Sequence, residues 1–355
     1  MIEIRPIREK NEWNSLLAKE FPSQDDVYFS FEYCELYTRH FPMVPEAIYS
    51  CSPSLTVFWP YLVRQIPGSA GKDCIRDITT PYGYGGPILC ARTEDKEELA
   101  RSIREFLDRF RAYMQSCRSV SGFIRFHPLL RSWELLKEEI PCEYLNDVVV
   151  MDLTPDPDSL WDHMRKGHRY NIKKTLQEGA TVSVTEHPTD EDIDTFLGLY
   201  YERMNRNKAQ PKYYFTREFI RDHFSLLHAA LVQVARDGRV IGSSIFLIGS
   251  SVAHYHLSGS AGDIRGLYPS EAALWGFIGW ARERGVTCLN LGGGRGANDT
   301  LFQFKLGFSR MTAPFYVGKL VFDRPAYERL TAELAPGLAS GFFPSYRGHE
   351  TGNIV

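Results

Sequence analysis

Hydrophobic positions along the chain recur in two rhythms, one of about 3.6 residues and one of two, and their succession defines the predicted elements. In the first half, helical patterns near residues 13–19 and 31–40 precede strand-like stretches at 46–51 and 55–66. Pro60 inside the second stretch predicts an edge or a bulge, because proline has no N–H for a ladder. The turn-rich Pro81-Tyr82-Gly83-Tyr84-Gly85-Gly86-Pro87 comes next. A long helix follows, with Leu99, Ile103, Phe106, Leu107, Phe110 and Met114 on one face, and then a strand at 122–126.

The second half repeats that order without obvious residue identity. A strand at 148–153 opens it, and helices are predicted around 159–178 and 189–206. Thr189 and Asp192 stand at capping-box spacing at the start of the latter, with Ile193, Phe196, Leu197, Tyr200 and Met204 on one face. A helix near 217–228 leads to three meandering strands at 231–235, 240–248 and 252–258, with turns at Asp237-Gly238 and Gly249-Ser250. Pro269 and Ser270 introduce a helix with Leu274, Phe277, Ile278 and Ala281 inward, and a strand at 286–291 closes the unit. The repetition predicts an α/β protein of mixed sheets in two tandem units, 1–150 and 151–335, with an irregular tail at 336–355.

Composition narrows the classes. With 43% hydrophobic and 24% charged residues in a chain of 355, neither a disordered chain nor a coiled coil fits. The 41 basic and 44 acidic residues leave a net charge of -3, which excludes a general nucleic-acid coat and a DNA partner and confines any RNA contact to one patch. The opening Met1-Ile2-Glu3-Ile4-Arg5-Pro6 lacks the apolar core of a signal peptide, so a cytoplasmic protein is expected, with at most peripheral membrane contact. Seven scattered cysteines without a C-x-x-C pair predict reduced thiols and no metal site.

Four segments carry chemistry. Arg165, Arg169 and Lys173 recur every four residues in the densest cationic stretch, with Tyr170 among them, so a polyphosphate can lie along that face and a base can stack on the ring; a solvated helix face has the same spacing. Strict alternation puts His254, His256, Ser258 and Ser260 on one side of a strand and Tyr255 and Leu257 on the other. His256 would accept a proton from an attacking amine, and Tyr255 would give one to a leaving group; a plain solvent-facing strand is the alternative. Gly292 to Ala297 follows a strand but lacks the helix and the further β-α-β unit of a dinucleotide site, so it reads as a turn that lets backbone approach a ligand. Lys305 stands among Phe302, Phe304 and Phe308, where ring faces would hold it and aim it at an oxyanion, unless it is a snorkelling surface lysine.

The order of these segments, together with Tyr200-Tyr201-Glu202-Arg203-Met204 and the Pro81 to Pro87 turn, resembles the FemABX-like family, which is related to the peptidoglycan-bridge aminoacyltransferases. The resemblance covers most of residues 1–322 and implies two tandem GNAT-like acyltransferase domains. It implies transfer of an acyl group to an amine, with no tightly bound cofactor. Aminoacyl-tRNA is the co-substrate in bridge-forming members, which makes tRNA a candidate partner, and acyl-CoA is the co-substrate in GNAT relatives. Lys305, after Phe304, corresponds to the Phe-Lys lysine near the transfer centre, and Arg165 to Lys174 to the basic helix that opens the second domain. Tyr82, Tyr84 and Gly85 are expected to shape the acceptor pocket between the domains. Two departures stand out: the Arg265 to Ser270 loop lacks the full pyrophosphate pattern of GNAT enzymes, and no long charged hairpin for tRNA is present. The expected activity is aminoacyl transfer to an amine of a peptidoglycan precursor. Acyl-CoA-dependent acylation of an amino sugar and a non-catalytic binding module are the alternatives.

Overall fold

The computed structural model describes residues 2–24, 26–67, 75–294, 296, 299–337 and 341–348. The chain divides into unit 1, Met1–Leu145 with Phe315–Val355, and unit 2, Asn146–Pro314. Unit 1 begins with β1 (Arg5–Ile7), α1 (Lys10–Glu20), α2 (Phe31–His40), β2 (Met43–Cys51), β3 (Leu55–Gln65), β4 (Arg76–Thr79), β5 (Ile88–Ala91), α3 (Lys96–Ser116), β6 (Ser119–Arg125) and α4 (Trp133–Leu136). The strand β7 (Cys142–Asp152) carries the chain into unit 2. There follow α5 (Pro157–His163), α6 (Lys166–Gln177), β8 (Thr181–Thr185), α7 (Asp190–Arg206), α8 (Arg217–Leu226), β9 (Ala229–Arg236), β10 (Arg239–Ile248), β11 (Val252–Ser260), α9 (Pro269–Glu283), β12 (Cys288–Gly292) and α10 (Thr300–Lys305). The chain returns to unit 1 along β13 (Met311–Val321), and α11 (Arg324–Leu334) follows.

The strands of the two units follow the same plan. Strand order is β1-β2-β3-β4-β6-β13 in unit 1, with β5 also on β3, and β8-β9-β10-β11-β12-β7 in unit 2. The fourth and fifth strands of each order are parallel, β4 with β6 and β11 with β12. A parallel pair needs a crossover, and α3 and α9 supply it. Asp95 caps α3 by accepting from Glu97 and Glu98 N–H, and the buried face of that helix stacks Phe110 on Trp59 at 4.2 Å. In unit 2 the largely apolar α9, begun by Pro269, stacks Phe277 on Phe246 at 3.7 Å. Burying a side chain of this size is worth about 2–3 kcal/mol, so these faces hold each sheet to its crossover helix.

The structure moves several expected boundaries. The sequence reading runs the second domain to residue 335, but β13 completes unit 1 by pairing Val317–Val321 with Ser121–Arg125 of β6. Part of the expected tail is also ordered. Tyr346 donates to Asp77 at 2.9 Å and Arg347 pairs with the same carboxylate at 2.6 Å, so residues 341–348 are fastened to unit 1, while 338–340 and 349–355 lie outside the described residues. The predicted helix over 159–178 is two helices, parted where Met164 takes an extended backbone and buries its side chain. Pro60 is neither at an edge nor in a bulge. It lies between the β5 ladder at 55–58 and the β4 ladder at 62–65, where a strand changes partner and a missing N–H costs the sheet least.

Candidate functional site

In unit 2 the ladder between β11 and β12 is confined to Val252–His254 against Cys288–Asn290. Beyond it β11 runs on to Ser260 paired with β10, while β12 turns away: Asn290 Oδ1 accepts from Gly292 N–H at 2.8 Å. The strands therefore part. Asp299 caps α10 by accepting from Phe302 N–H at 2.8 Å, and a Cβ on Gly294 would lie 2.3 Å from the Asp299 carboxylate, so a larger residue there would force the cap to shift. Lys305, the last residue of α10, is 7% exposed and its Nζ donates to the Gly293 carbonyl at 2.7 Å. The lysine is thus held by a carbonyl at its tip. Burial pulls its pKa from 10.5 down to about 7, against the pull of Asp299 upward and with a further push down from Arg203.

Arg203 comes from α7 and donates to Ser258 Oγ of β11 at 2.7 Å. Its neighbour Glu202 accepts from Gly262 N–H at 2.6 Å, and Arg206, about one turn on, donates to the Ser260 carbonyl at 2.6 Å, so the end of α7 clamps the end of β11. The capping box at Thr189 and Asp192, legible in the sequence, is formed and fixes the start of this helix. Behind Lys305, the His168 ring reaches the Phe304 carbonyl at 2.8 Å and Arg165 N–H donates to the Gly307 carbonyl at 2.8 Å. A carbonyl only accepts, so His168 carries its proton on Nε2, and burial lowers its pKa. A Cβ at Gly307 would stand 2.3 Å from that ring.

The polar strand does not alternate as expected. Ile245 faces Leu257 and Phe246 faces Tyr255, which leaves His256 as the extra residue of a bulge. Tyr255 packs on Phe246 with ring centroids 5.3 Å apart, and its buried hydroxyl has no hydrogen-bond partner among the described residues. His256 meets His223 of α8, Nε2 to Nε2 at 3.2 Å. His223 gives its Nδ1 proton to the Phe219 carbonyl at 2.8 Å, so its Nε2 accepts and His256 must donate from Nε2. Burial, reinforced by His223 and His254, holds His256 well below its usual pKa. A histidine so locked is a poor base through Nε2.

The basic stripe is shared out. Arg169 pairs with Asp162 of α5 at 2.7 Å and Lys173 lies 5.4 Å over the Trp161 ring, whereas Arg165 and the 61% exposed Tyr170 face solvent. Phe304 packs on His168 at 5.4 Å and on Phe308 at 5.6 Å. Tyr82, Tyr84 and Gly85 belong to unit 1. There the Tyr82 carbonyl accepts from the Tyr33 hydroxyl at 2.6 Å, the Tyr84 ring meets Tyr28 and Phe315 edge-on at 5.4 and 5.2 Å, and Gly85 bridges to Phe126. Within the glycine-rich turn, Arg295, Ala297 and Asn298 lie outside the described residues. Arg203, Asp299 and His168 were not singled out from sequence. Arg203 and His168 sat inside segments that were, but no local spacing ties them to Lys305.

Comparison with known proteins defines the class. Residues 162–306 match the model of an acetyltransferase (GNAT) domain. No curated protein matches the chain. Among solved structures, FemX is similar with a TM-score of 0.70 at 12% identity, over 92% of this chain and 99% of that one. A conserved protein of unknown function from Bacteroides thetaiotaomicron gives 0.56 at 14% identity over 90% and 100%. A tandem GNAT protein from the clavulanic acid biosynthesis pathway gives 0.50 at 11% identity over 90% and 98%. The chain shares the fold of FemX and of the tandem GNAT protein, and the part of it that is similar to the GNAT domain model lies in its second unit. No helix among the described residues is long and apolar enough to cross a membrane.

Proposed function

We propose that the protein is an N-acyltransferase that moves an aminoacyl group from aminoacyl-tRNA to an amine of a peptidoglycan precursor or a similar acceptor. The observation that carries this is the buried Lys305, held beside the parted ends of β11 and β12 with a pKa near 7. An acceptor amine arrives largely as an ammonium ion, and neutral Lys305 takes one of its protons. The freed amine attacks the ester carbonyl, and the lysine, now an ammonium, stabilises the oxyanion. Collapse forms the amide and breaks the ester C–O bond; the leaving alkoxide takes the first proton back from the lysine, which is neutral again, and the attacking nitrogen sheds its second proton to water. In this reading Tyr255 is a second proton source for the leaving group, and His256 is left to positioning.

Donor choice rests on the first turn of α9, where GNAT enzymes bind the CoA pyrophosphate. Here Tyr268 N–H is taken by Thr175 Oγ1 at 2.9 Å, Pro269 has no N–H, and the buried Glu271 carboxylate, held by Asn171 at 3.0 Å, already answers the positive end of the helix. A second anion there is disfavoured. The acyl-CoA reading, with an amino-sugar acceptor, is supported by the GNAT domain match and by Lys174, whose Nζ would lie 3.0 Å from a Cβ at Gly266. Binding of a non-hydrolysable aminoacyl-tRNA mimic, compared with acetyl-CoA and longer acyl-CoAs at two salt concentrations, decides between them. Salt-dependent binding of the RNA mimic alone is the expected result. Preference for a CoA thioester overturns the aminoacyl reading, and silence toward every donor leaves a binding module.

A further inference from the structure

Unit 1 has a parallel pair of its own, at the same place in its sheet as β11 and β12 in unit 2. The β4–β6 ladder ends at Thr79 against Phe123, and β6 then ends at Arg125. Arg125 is fixed there by its own backbone, which donates to Thr80 Oγ1 at 3.1 Å, and by Nη1, which donates to the Thr80 carbonyl at 3.1 Å. The guanidinium lies 4.8 Å over the Phe123 ring. Among the described residues the Thr80 carbonyl is its one hydrogen-bond acceptor, and no carboxylate pairs with it. The other inward arginines of this unit are treated differently: Arg64 and Arg347 both close on Asp77, at 2.8 and 2.6 Å.

A guanidinium offers five N–H donors, and at the half-buried Arg125 those not spent on the Thr80 carbonyl stay open to solvent and to a ligand. The surroundings are suited to an anion. Burial, with the like charge of Arg64, draws the Arg125 pKa from 12.5 down to about 10, and the phenols of Tyr82, Tyr37 and Tyr33 act on the same charge in the opposite sense. Tyr33 and Tyr37 hydroxyls stand 3.4 Å apart, at the edge of the same cluster. We propose that the mouth of the β4–β6 pair is an oxyanion-binding site, in which Arg125 grips a carboxylate or phosphoryl group through its unused N–H donors. Placing that group on the amine acceptor rests on the acyl-transfer reading above. The acid is then either the C-terminal carboxylate of a precursor peptide or a phosphoryl group of its carrier.

Calorimetric titration of the full chain tests this without turnover, so its outcome is separate from that of the acyl-transfer reading. The probes are inorganic pyrophosphate, an acetylated tripeptide as the free acid, and the same tripeptide as its amide, on wild type, Arg125→Gln and Arg125→Lys. Wild type should bind at least one acid probe and not the amide, and Arg125→Gln should bind it about tenfold or more weakly. Arg125→Lys should recover binding in part for pyrophosphate and little for the carboxylate, because lysine is a point charge without the forked donors. Since no carboxylate is orphaned by the change, Arg125→Gln should melt no lower than wild type, and the acid probe should raise the melting temperature of wild type only. Equal binding by wild type and Arg125→Gln, no binding of either acid, equal binding of acid and amide, or a large drop in the melting temperature of Arg125→Gln overturns the proposal.

Discussion

Replacing Lys305 by methionine keeps a flexible apolar side chain of similar length and removes the ammonium, so it isolates what the buried charge costs. The fall in pKa from 10.5 to about 7 corresponds to about 5 kcal/mol at roughly 1.4 kcal/mol per unit, the penalty for protonating this lysine in the folded protein rather than in the unfolded chain. Against it stands the hydrogen bond to the Gly293 carbonyl, worth about 1 kcal/mol. Below pH 7 wild type carries the full penalty, and Lys305→Met should be more stable by between about 1 and 4 kcal/mol. Between about 7 and 10.5 the unfolded chain binds the proton more readily than the folded one, so wild-type stability rises with pH across that window and the advantage of the variant disappears. Urea unfolding of both proteins at a series of pH values from about 6 to about 10 measures the difference, in which other titrating groups cancel. Acyl transfer should be lost in the variant throughout. A variant less stable than wild type at pH 6, or a stability difference that does not change with pH, would refute the assignment of a neutralised buried lysine.

Other perturbations probe the same neighbourhood. For wild type, kcat/KM should rise with pH through about 7 and level off, because the neutral lysine is the acceptor of the first proton; Lys305→Arg, which cannot lose its charge, should be as inactive as Lys305→Ala, and an active arginine variant would remove proton transfer from the lysine. Arg203 lowers the Lys305 pKa and Asp299 raises it, so Arg203→Met should move that rise to higher pH and Asp299→Asn, which keeps a good helix cap, to lower pH; profiles that move together would show that neither charge is felt. Gly307→Ala drives a methyl into the His168 ring and should lower stability by about 1–3 kcal/mol in a melting experiment, with part of the loss recovered by adding His168→Ala. Thr189→Ala breaks the capping box of α7 and should lower stability by about 1 kcal/mol while transfer continues.

What the sequence made legible is what depends on near neighbours. The Thr189–Asp192 box, the amphipathic face of α3 and the Pro269 start of α9 are all written within a few residues, and each forms as expected. The duplication could be read from the order of elements, because each half must build the same sheet. What failed depends on distant partners. The bulge at His256 comes from its pairing with β10 across the sheet, and it removes the strict alternation that put two histidines and two serines on one side. The return of β13 to unit 1 is decided by its ladder with β6, about 200 residues earlier, and nothing within β13 announces it. The grip on Lys305 is set by the Gly293 carbonyl, whereas the aromatic residues around it in sequence suggested ring faces.

Two units of one strand plan carry different cations at corresponding places, and the difference follows from how each responds to burial. In unit 2 the lysine comes from a separate helix, and burial brings it to about 7, where it can exchange a proton at neutral pH. In unit 1 the arginine ends the strand itself, and burial beside a second guanidinium brings it only to about 10, so it stays charged. A transfer centre needs a group that changes state during the reaction, and a holding site needs one that does not. Exchanging the two residue types should therefore impair both properties: Lys305→Arg should abolish transfer by fixing a charge where one must move, and Arg125→Lys should weaken anion binding, most for a carboxylate, because the fork is lost. If each single exchange left transfer and anion binding intact, burial would not be what distinguishes the two sites.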